Sequence, residues 1–234
     1  MGGGLSISRA SEVFEDLTSY DDLAFYFKNA VGISSGASGV TGWTDSSDEN
    51  NDLTQTGEDN MGSSTQGGIS FDGTNDYYTL GSNIDIGNEN PFTFFIVLNM
   101  GSGLGTVLGT PDSTEQYVGF TRIDTIKIKQ TAGATILGDT SRPFANGETM
   151  ALCVTKDKNR NYRVFKNNGG VIDFSSVTLN PGEAGAFILN QIGMTSTGSA
   201  NFVGIMHELG LYTVLLSDGQ INTVLKYLVN KFSI

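Results

Sequence analysis

The chain has 234 residues, of which 38% are hydrophobic and 16% charged, and it carries a net charge of −12. Such a composition excludes a disordered chain, a collagen and a coiled coil, and the acidity argues against nucleic acid as a partner, because phosphate repels it. No apolar run reaches the roughly 18 residues of a membrane span, so no membrane insertion is expected.

Residues 1–12 read as a flexible N-terminal arm, with three glycines after Met1 and then the alternating LSISRAS. The segment has neither a basic region nor a hydrophobic stretch of the kind that opens a secretory signal, so none is expected. Residues 13–234 are read as one domain. Leu23, Phe25 and Phe27 alternate with Ala24, Tyr26 and Lys28, which predicts a strand. Residues 34–66 are polar, rich in Ser, Gly, Asn and Asp, and hold the only tryptophan, Trp43. A lone Trp there reads first as a plug at a sandwich edge and second as a platform for sugar stacking.

Gly68–Tyr78 has two β-type runs around Asp72-Gly73-Thr74-Asn75, which predicts a tight hairpin. Phe92–Leu98 is apolar at both parities, as expected of a central strand covered on both faces. Further strands are predicted at 106–108, 116–120, 125–129, 150–155, 162–166, 171–174, 187–194 and 202–212, with turns at Lys156–Asn161 and Asn167–Gly170. Gly101–Gly105 is glycine-rich but lacks the lysine of a phosphate loop, so it reads as a hairpin. Cys153, the only cysteine, lies in the apolar run MALCVT and reads as a buried, inert thiol. Ile221, Val224, Leu225, Leu228 and Val229 are spaced as one helical face, with Ser217 and Gln220 forming a capping box. This predicts a helix from Asp218 to about Asn230 that docks on the sheet edge. Together the elements predict an all-β fold, with about 12–14 strands in two packed antiparallel sheets and one short C-terminal helix.

Four segments resemble the concanavalin A-like superfamily, in its laminin-G-like branch. Trp43 to Gln55 resembles the element W-x-D-x-S-G-N-x-x-x-x-x-Q. Ile69–Tyr78 resembles the F-D-G-x-x-D-Y hairpin. Met150–Phe174 resembles the paired strands with an N-G turn. Phe202–Tyr212 followed by Leu216–Ile221 resembles the closing strand and short helix. The resemblance covers roughly residues 20–234 and implies a jelly-roll sandwich.

The chemistry is sparse. Retaining glycosidases of this superfamily carry E-x-D-x-E on one strand, and no such triplet occurs. Glu208 is the only acid in Phe202–Tyr212, where it reads as a hydrogen-bonding partner of a neighbouring strand or as part of a ligand face. His207, the only histidine, shares parity with Val203, Ile205, Leu209 and Leu211 and reads as a core residue. No enzymatic activity is therefore expected. Asp45, Asp48, Glu49 and Asp52, with Asp72 and Asp76 at the hairpin, read as solvated loops, with Ca2+ as the one cofactor they could take.

The resemblance extends to tailed-phage particles, and it implies a virion protein. That protein would decorate a capsid or fibre, contact major capsid or tail proteins, and assemble as a homo-oligomer. The alternative is a carbohydrate-binding adhesin for host-surface glycans. Its candidate stacking residues are Trp43, Tyr77, Tyr78 and Tyr117, with Tyr20 beside them. Charge is uneven along the chain. Residues 1–117 hold 17 acids and 2 bases, and residues 118–234 hold 8 and 11. The asymmetry reads as a solvated acidic surface or as a means of orienting on a partner.

Overall fold

The computed structural model describes residues 17–87, 89–101, 105–110, 116–122, 125–129, 135–137, 147–168, 171–175, 187–194 and 201–234. The N-terminal arm and the turn residues 169–170 lie outside that set, as do residues 102–104 of the glycine-rich segment. In chain order the strands are β1 (Leu23–Phe27), β2 (Ile33–Ser35), β3 (Val40–Trp43), β4 (Leu53–Thr54), β5 (Ser63–Thr65), β6 (Gly68–Asp72), β7 (Tyr78–Asp85), β8 (Phe92–Met100) and β9 (Gly105–Gly109). They continue as β10 (Tyr117–Arg122), β11 (Thr125–Lys129), β12 (Thr135–Leu137), β13 (Thr149–Lys156), β14 (Tyr162–Asn168), β15 (Val171–Ser175), β16 (Ile188–Ile192) and β17 (Val203–Tyr212), and helix α1 (Asp218–Phe232) follows.

Two antiparallel sheets form the expected sandwich. One runs β15-β14-β13-β8-β17-β6-β5, with β1 also paired to β17; the other runs β12-β11-β10-β9-β16-β7-β4-β3-β2. The strands outnumber the expected 12–14 because the polar stretch 34–66 contributes short strands of Ser, Thr and Gly. Such strands carry no apolar alternation for a sequence reading to find.

Strand β8 explains the layering. Phe92, Phe94, Ile96, Leu98 and Met100 point between the sheets, where Trp43, Phe71, Tyr78, Leu189, Met206 and Leu209 join them. Phe95 and Val97 point the other way. There they meet Tyr26, Ala151, Cys153, Phe165 and Tyr212, under Ile221, Val224, Leu225 and Leu228 of α1. A strand with apolar side chains on both faces is thus buried twice, once by a sheet and once by a helix.

Helix α1 starts where expected. The Ser217 side chain accepts from the Gln220 N–H, and the Gln220 side chain accepts from the Ser217 N–H. Its docking place is a correction. The helix covers the middle of the outer face of the eight-stranded sheet, over β8, β13 and β17, and not an edge. Four wholly buried aliphatic side chains supply the drive, each worth roughly 1.5–3 kcal/mol.

The predicted hairpin at Gly68–Tyr78 is also corrected. β6 pairs with β17 and β5, whereas β7 pairs with β16 and β4, so the turn carries the chain from one sheet to the other. Its Asx chemistry is real. Asp72 accepts from the Thr74 N–H at 2.7 Å, and Asp76 accepts from the Asp72 N–H at 2.8 Å. The two flanking aromatics, Phe71 and Tyr78, meet edge to face across the sandwich interior, with centroids 5.8 Å apart. The local pattern fits a hairpin and a sheet-crossing corner equally well, and core packing selects the corner.

Candidate functional site

The loop after β3 is organised by Asp45. Its buried carboxylate accepts from the Tyr26 N–H (2.7 Å), the Ser47 N–H (2.8 Å), the Ser47 hydroxyl (2.7 Å) and the Asn51 N–H (2.9 Å). Asp52 in turn accepts from the Asp45 N–H at 2.7 Å. The left-handed position of this loop falls on Asn50 (φ 56°), a residue that tolerates it. Gln55 donates to the Tyr77 carbonyl at 2.8 Å and accepts from the Gly57 N–H. The Asp, Ser and Gln of this motif therefore build the loop, and Asp48 and Glu49 are left exposed beside it.

That loop forms one wall of a cleft at the end of the sandwich. The cleft measures about 370 Å³ and is lined by Asp22, Leu23, Ala24, Glu49, Asn51, Ser82, Asn83, Ile84, Asp85 and Thr213. A second hollow of about 260 Å³ adjoins it through Asp22, Leu23 and Glu49, adding Tyr20, Asp21 and Asp48. The residues come from four distant segments: the entry to β1, the loop before β4, the end of β7 and the exit from β17. Asp22 sits in the left-handed conformation (φ 62°), and its carbonyl accepts from the Thr213 N–H at 2.8 Å, which ties two of the walls together. Among the described residues, no lysine or arginine lines either hollow.

Asn51 is 6% exposed, and its amide orientation is set by its Nδ2, which donates to the Ala24 carbonyl at 2.7 Å. Its Oδ1 is buried without a hydrogen-bond partner. Among the described residues no three His, Cys, Asp or Glu side chains converge as they would around a metal ion.

The four aromatics proposed as sugar platforms fare differently. Trp43 is 1% exposed and Tyr78 is wholly buried. The Trp43 indole donates to the Val31 and Lys28 carbonyls at 2.9 and 3.1 Å, and its ring packs on Phe27. The Tyr78 hydroxyl donates to the Val40 carbonyl at 3.0 Å. Neither ring presents a face to a ligand, so both leave the candidate list, and Trp43 takes the plug role. Tyr77 and Tyr117 are half-buried and far apart in the fold. Tyr117 lies on the nine-stranded sheet with the Lys127 ammonium 5.5 Å from its ring centroid. Tyr20 lines the smaller hollow, edge-on to Tyr212. The structure brings none of the other four beside it.

Glu208 and His207 also need revision. The pairing of β17 with β8 slips by one residue between Met206 and Glu208. This bulge turns Met206 into the core with Leu209 and Leu211, and sends His207 and Glu208 to the helix side. Simple alternation had placed His207 with the core aliphatics, because it carries no information about a bulge.

Glu208 is wholly buried. It accepts from the Tyr26 hydroxyl, from the Asn29 N–H at 3.2 Å and from the Lys231 ammonium at 2.5 Å. Burial, then the charge of Glu208, pushes the Tyr26 phenol far above its ordinary pKa. For Lys231, burial pulls down, but the Glu208 hydrogen bond and charge win and hold it protonated above the usual lysine range. The His207 ring is 5.6 Å from Phe232. Burial holds it below its ordinary pKa, against an opposing pull from the Gln66 backbone. This cluster ties β1, β17 and α1 together, with Glu208 and His207 buried under the helix. Cys153 is likewise sealed, with burial pushing its thiol pKa far up.

No family model and no curated protein matches the chain. Solved structures do. Trypanosoma rangeli sialidase in complex with sialic acid is 12% identical with a TM-score of 0.58, over 91% of this chain and 33% of the sialidase. Domain 4 of AbnA, a GH43 extracellular arabinanase from Geobacillus stearothermophilus in complex with arabinotriose, is 17% identical with a TM-score of 0.55. That match covers 87% of this chain and 98% of the domain. A GH54 α-L-arabinofuranosidase, soaked with a cyclic sulfate inhibitor, is 13% identical with a TM-score of 0.58, over 89% of this chain and 59% of the enzyme.

At such identities the likeness shows the fold. The chain spans about a third of the sialidase and just under three fifths of the arabinofuranosidase. The expectation of a chain without enzymatic activity is corrected by these matches, since the structures sharing its sandwich come from glycoside hydrolases. The expectation rested on the missing E-x-D-x-E triplet of a single strand. That test is blind to carboxylates gathered from separate segments, as Asp22, Glu49 and Asp85 are here.

Proposed function

We propose that this chain is a carbohydrate-recognising β-sandwich of the glycoside hydrolase class of proteins. The observation that carries this reading is the match to the arabinanase domain. The chain covers 98% of a domain solved with arabinotriose in place, so the likeness extends over a whole sugar-bound unit and not over a fragment of one. The end cleft is of a size and polarity suited to a few sugar hydroxyls. The direct test is a glycan array or a panel of calorimetric titrations with the purified chain, including arabinan fragments. Millimolar or tighter binding of at least one oligosaccharide is expected, and no binding across the panel would refute the reading.

A narrower placement, on a tailed-phage particle in contact with capsid or tail proteins, is supported by the order of the motifs from Trp43–Gln55 to Leu216–Ile221. A homo-oligomer on such a surface would gain strength by multivalency. Mass spectrometry of purified particles from the source tests this placement. It stands if the chain is present in them and falls if it is absent.

A further inference from the structure

We infer that the last turn of α1, residues 229–234, is a strap released by mild acid, with His207 as its trigger. Histidine is the side chain whose charge ordinarily changes just below neutral pH, and this chain has one. That single imidazole is buried at the sheet face on which α1 ends. The slip in β17 turns it to the helix side, and the Phe232 ring packs on it with centroids 5.6 Å apart.

The contacts of α1 divide along its length. Its four buried side chains, Ile221, Val224, Leu225 and Leu228, all precede the last turn. Its start is held by the capping box and by Asp218, which accepts from both terminal nitrogens of Arg163 at 2.7 and 3.3 Å. Beyond Leu228 no side chain is fully buried: Val229, Phe232 and Ile234 are half-buried, and Asn230, Lys231 and Ser233 are exposed. Lifting that turn costs the Phe232 contact and the Lys231–Glu208 ion pair, and it opens His207 to water.

An imidazolium formed under Phe232 would lose its hydration, so the closed strap disfavours the proton and the lifted strap accepts it. Burial accordingly holds the imidazole below its ordinary range. The charged and titratable groups of this cluster, among the described residues, are Glu208 beside it on β17, Lys231 and Tyr227 from α1, and Tyr26 and Lys28 from β1. The turn between β5 and β6 brings only the Gln66 backbone. When the strap lifts, Glu208 loses Lys231, and a protonated His207 next to it supplies the missing positive charge. Above about pH 6.5 neither state carries the proton. Below it the lifted state takes the proton up first, so lifting gains up to about tenfold per pH unit until the closed state also titrates.

The test is NMR with hydrogen exchange on the full chain. With one histidine, the imidazole signal needs no assignment, and its midpoint should lie below 6.5. From pH 7 to 5.5 the amide protection factors of residues 229–234 should fall at least threefold, while those of β8 and β13 hold. His207→Gln should abolish the fall. His207→Phe, which fills the site without a titrating group, serves if His207→Gln does not fold, and the wild-type readings decide if neither folds. A midpoint at or above 6.5 overturns the trigger. An unchanged wild type, or an equal fall in the variants, overturns the role of His207. Protection lost evenly over α1, β8 and β13 overturns the strap, since it reports unfolding of the whole sandwich.

Discussion

Glu208, which is bonded by Tyr26 and Asn29 of the segment around β1, and the carboxylates of the end cleft are treated in opposite ways. Glu208 is wholly buried and receives a phenol, a backbone N–H and an ammonium. Among the described residues no side chain donates to Asp22 or Glu49, and both are exposed. A carboxylate removed from water requires donors from the protein, and the helix brings Lys231 for that purpose. Carboxylates left open to water carry no such demand and remain available to something else. The first arrangement serves stability, and the second leaves its carboxylates open to solvent.

Substitutions should separate the two regions cleanly. Glu208→Ala leaves the Tyr26 hydroxyl and Lys231 without their partner and should cost about 3–5 kcal/mol, read from urea unfolding. A loss below about 1 kcal/mol would mean the cluster does not hold the helix. Leu225→Ala empties a wholly buried site between α1 and the eight-stranded sheet and should cost about 2–5 kcal/mol.

Lys156 gives a pH test beside the cleft. It is wholly buried and donates to the Ile86 carbonyl. Burial lowers its pKa to about 8, with Asp85 pulling it up and Arg160 pushing it down. Below about pH 8 both folded and unfolded chains hold the proton. Between there and the ordinary lysine value near 10.4 only the unfolded chain holds it, so the Lys156 contribution to stability should rise with pH across that window. The buried tyrosines and Cys153 oppose it equally in both proteins, so thermal melts of wild type and Lys156→Met from pH 7 to 10.5 should show the wild type gaining on the variant as pH rises; parallel curves would contradict it. The smallest effect is expected at the cleft. Asp22→Asn should change stability by no more than about 0.5 kcal/mol, because the carboxylate is exposed and unbonded.

The same contrast explains what could be read from the chain alone. The central strand Phe92–Met100 and helix α1 are legible because burial on two faces, or on one helical stripe, writes a periodic apolar pattern. The capping box at Ser217 is legible because it is local. The strands of 33–65 left no such mark, since Ser, Thr and Gly fill them. The slip at Met206–Glu208 reversed the faces of His207 and Met206, and only the pairing with β8 reveals it.

Of the aromatic candidates, Tyr78 and the second reading of Trp43 fail as platforms, because ring chemistry does not tell a core plug from a stacking platform. Burial does. The cleft was illegible for a different reason. Glu49 and Asp48 were noticed as an acidic loop, but Asp22, Ser82, Asp85 and Thr213 lie far from them in sequence, and nothing local joins them.

The most direct test of the recognition site is a nitrogen-15 NMR titration of the full chain with a neutral trisaccharide that it binds. Saturable shifts should cluster at the backbone amides of Asp22, Glu49, Asn51, Ser82 and Asp85, with Glu208 and the α1 amides unmoved. Shifts centred instead on Tyr117 and the open face of the nine-stranded sheet would contradict the account.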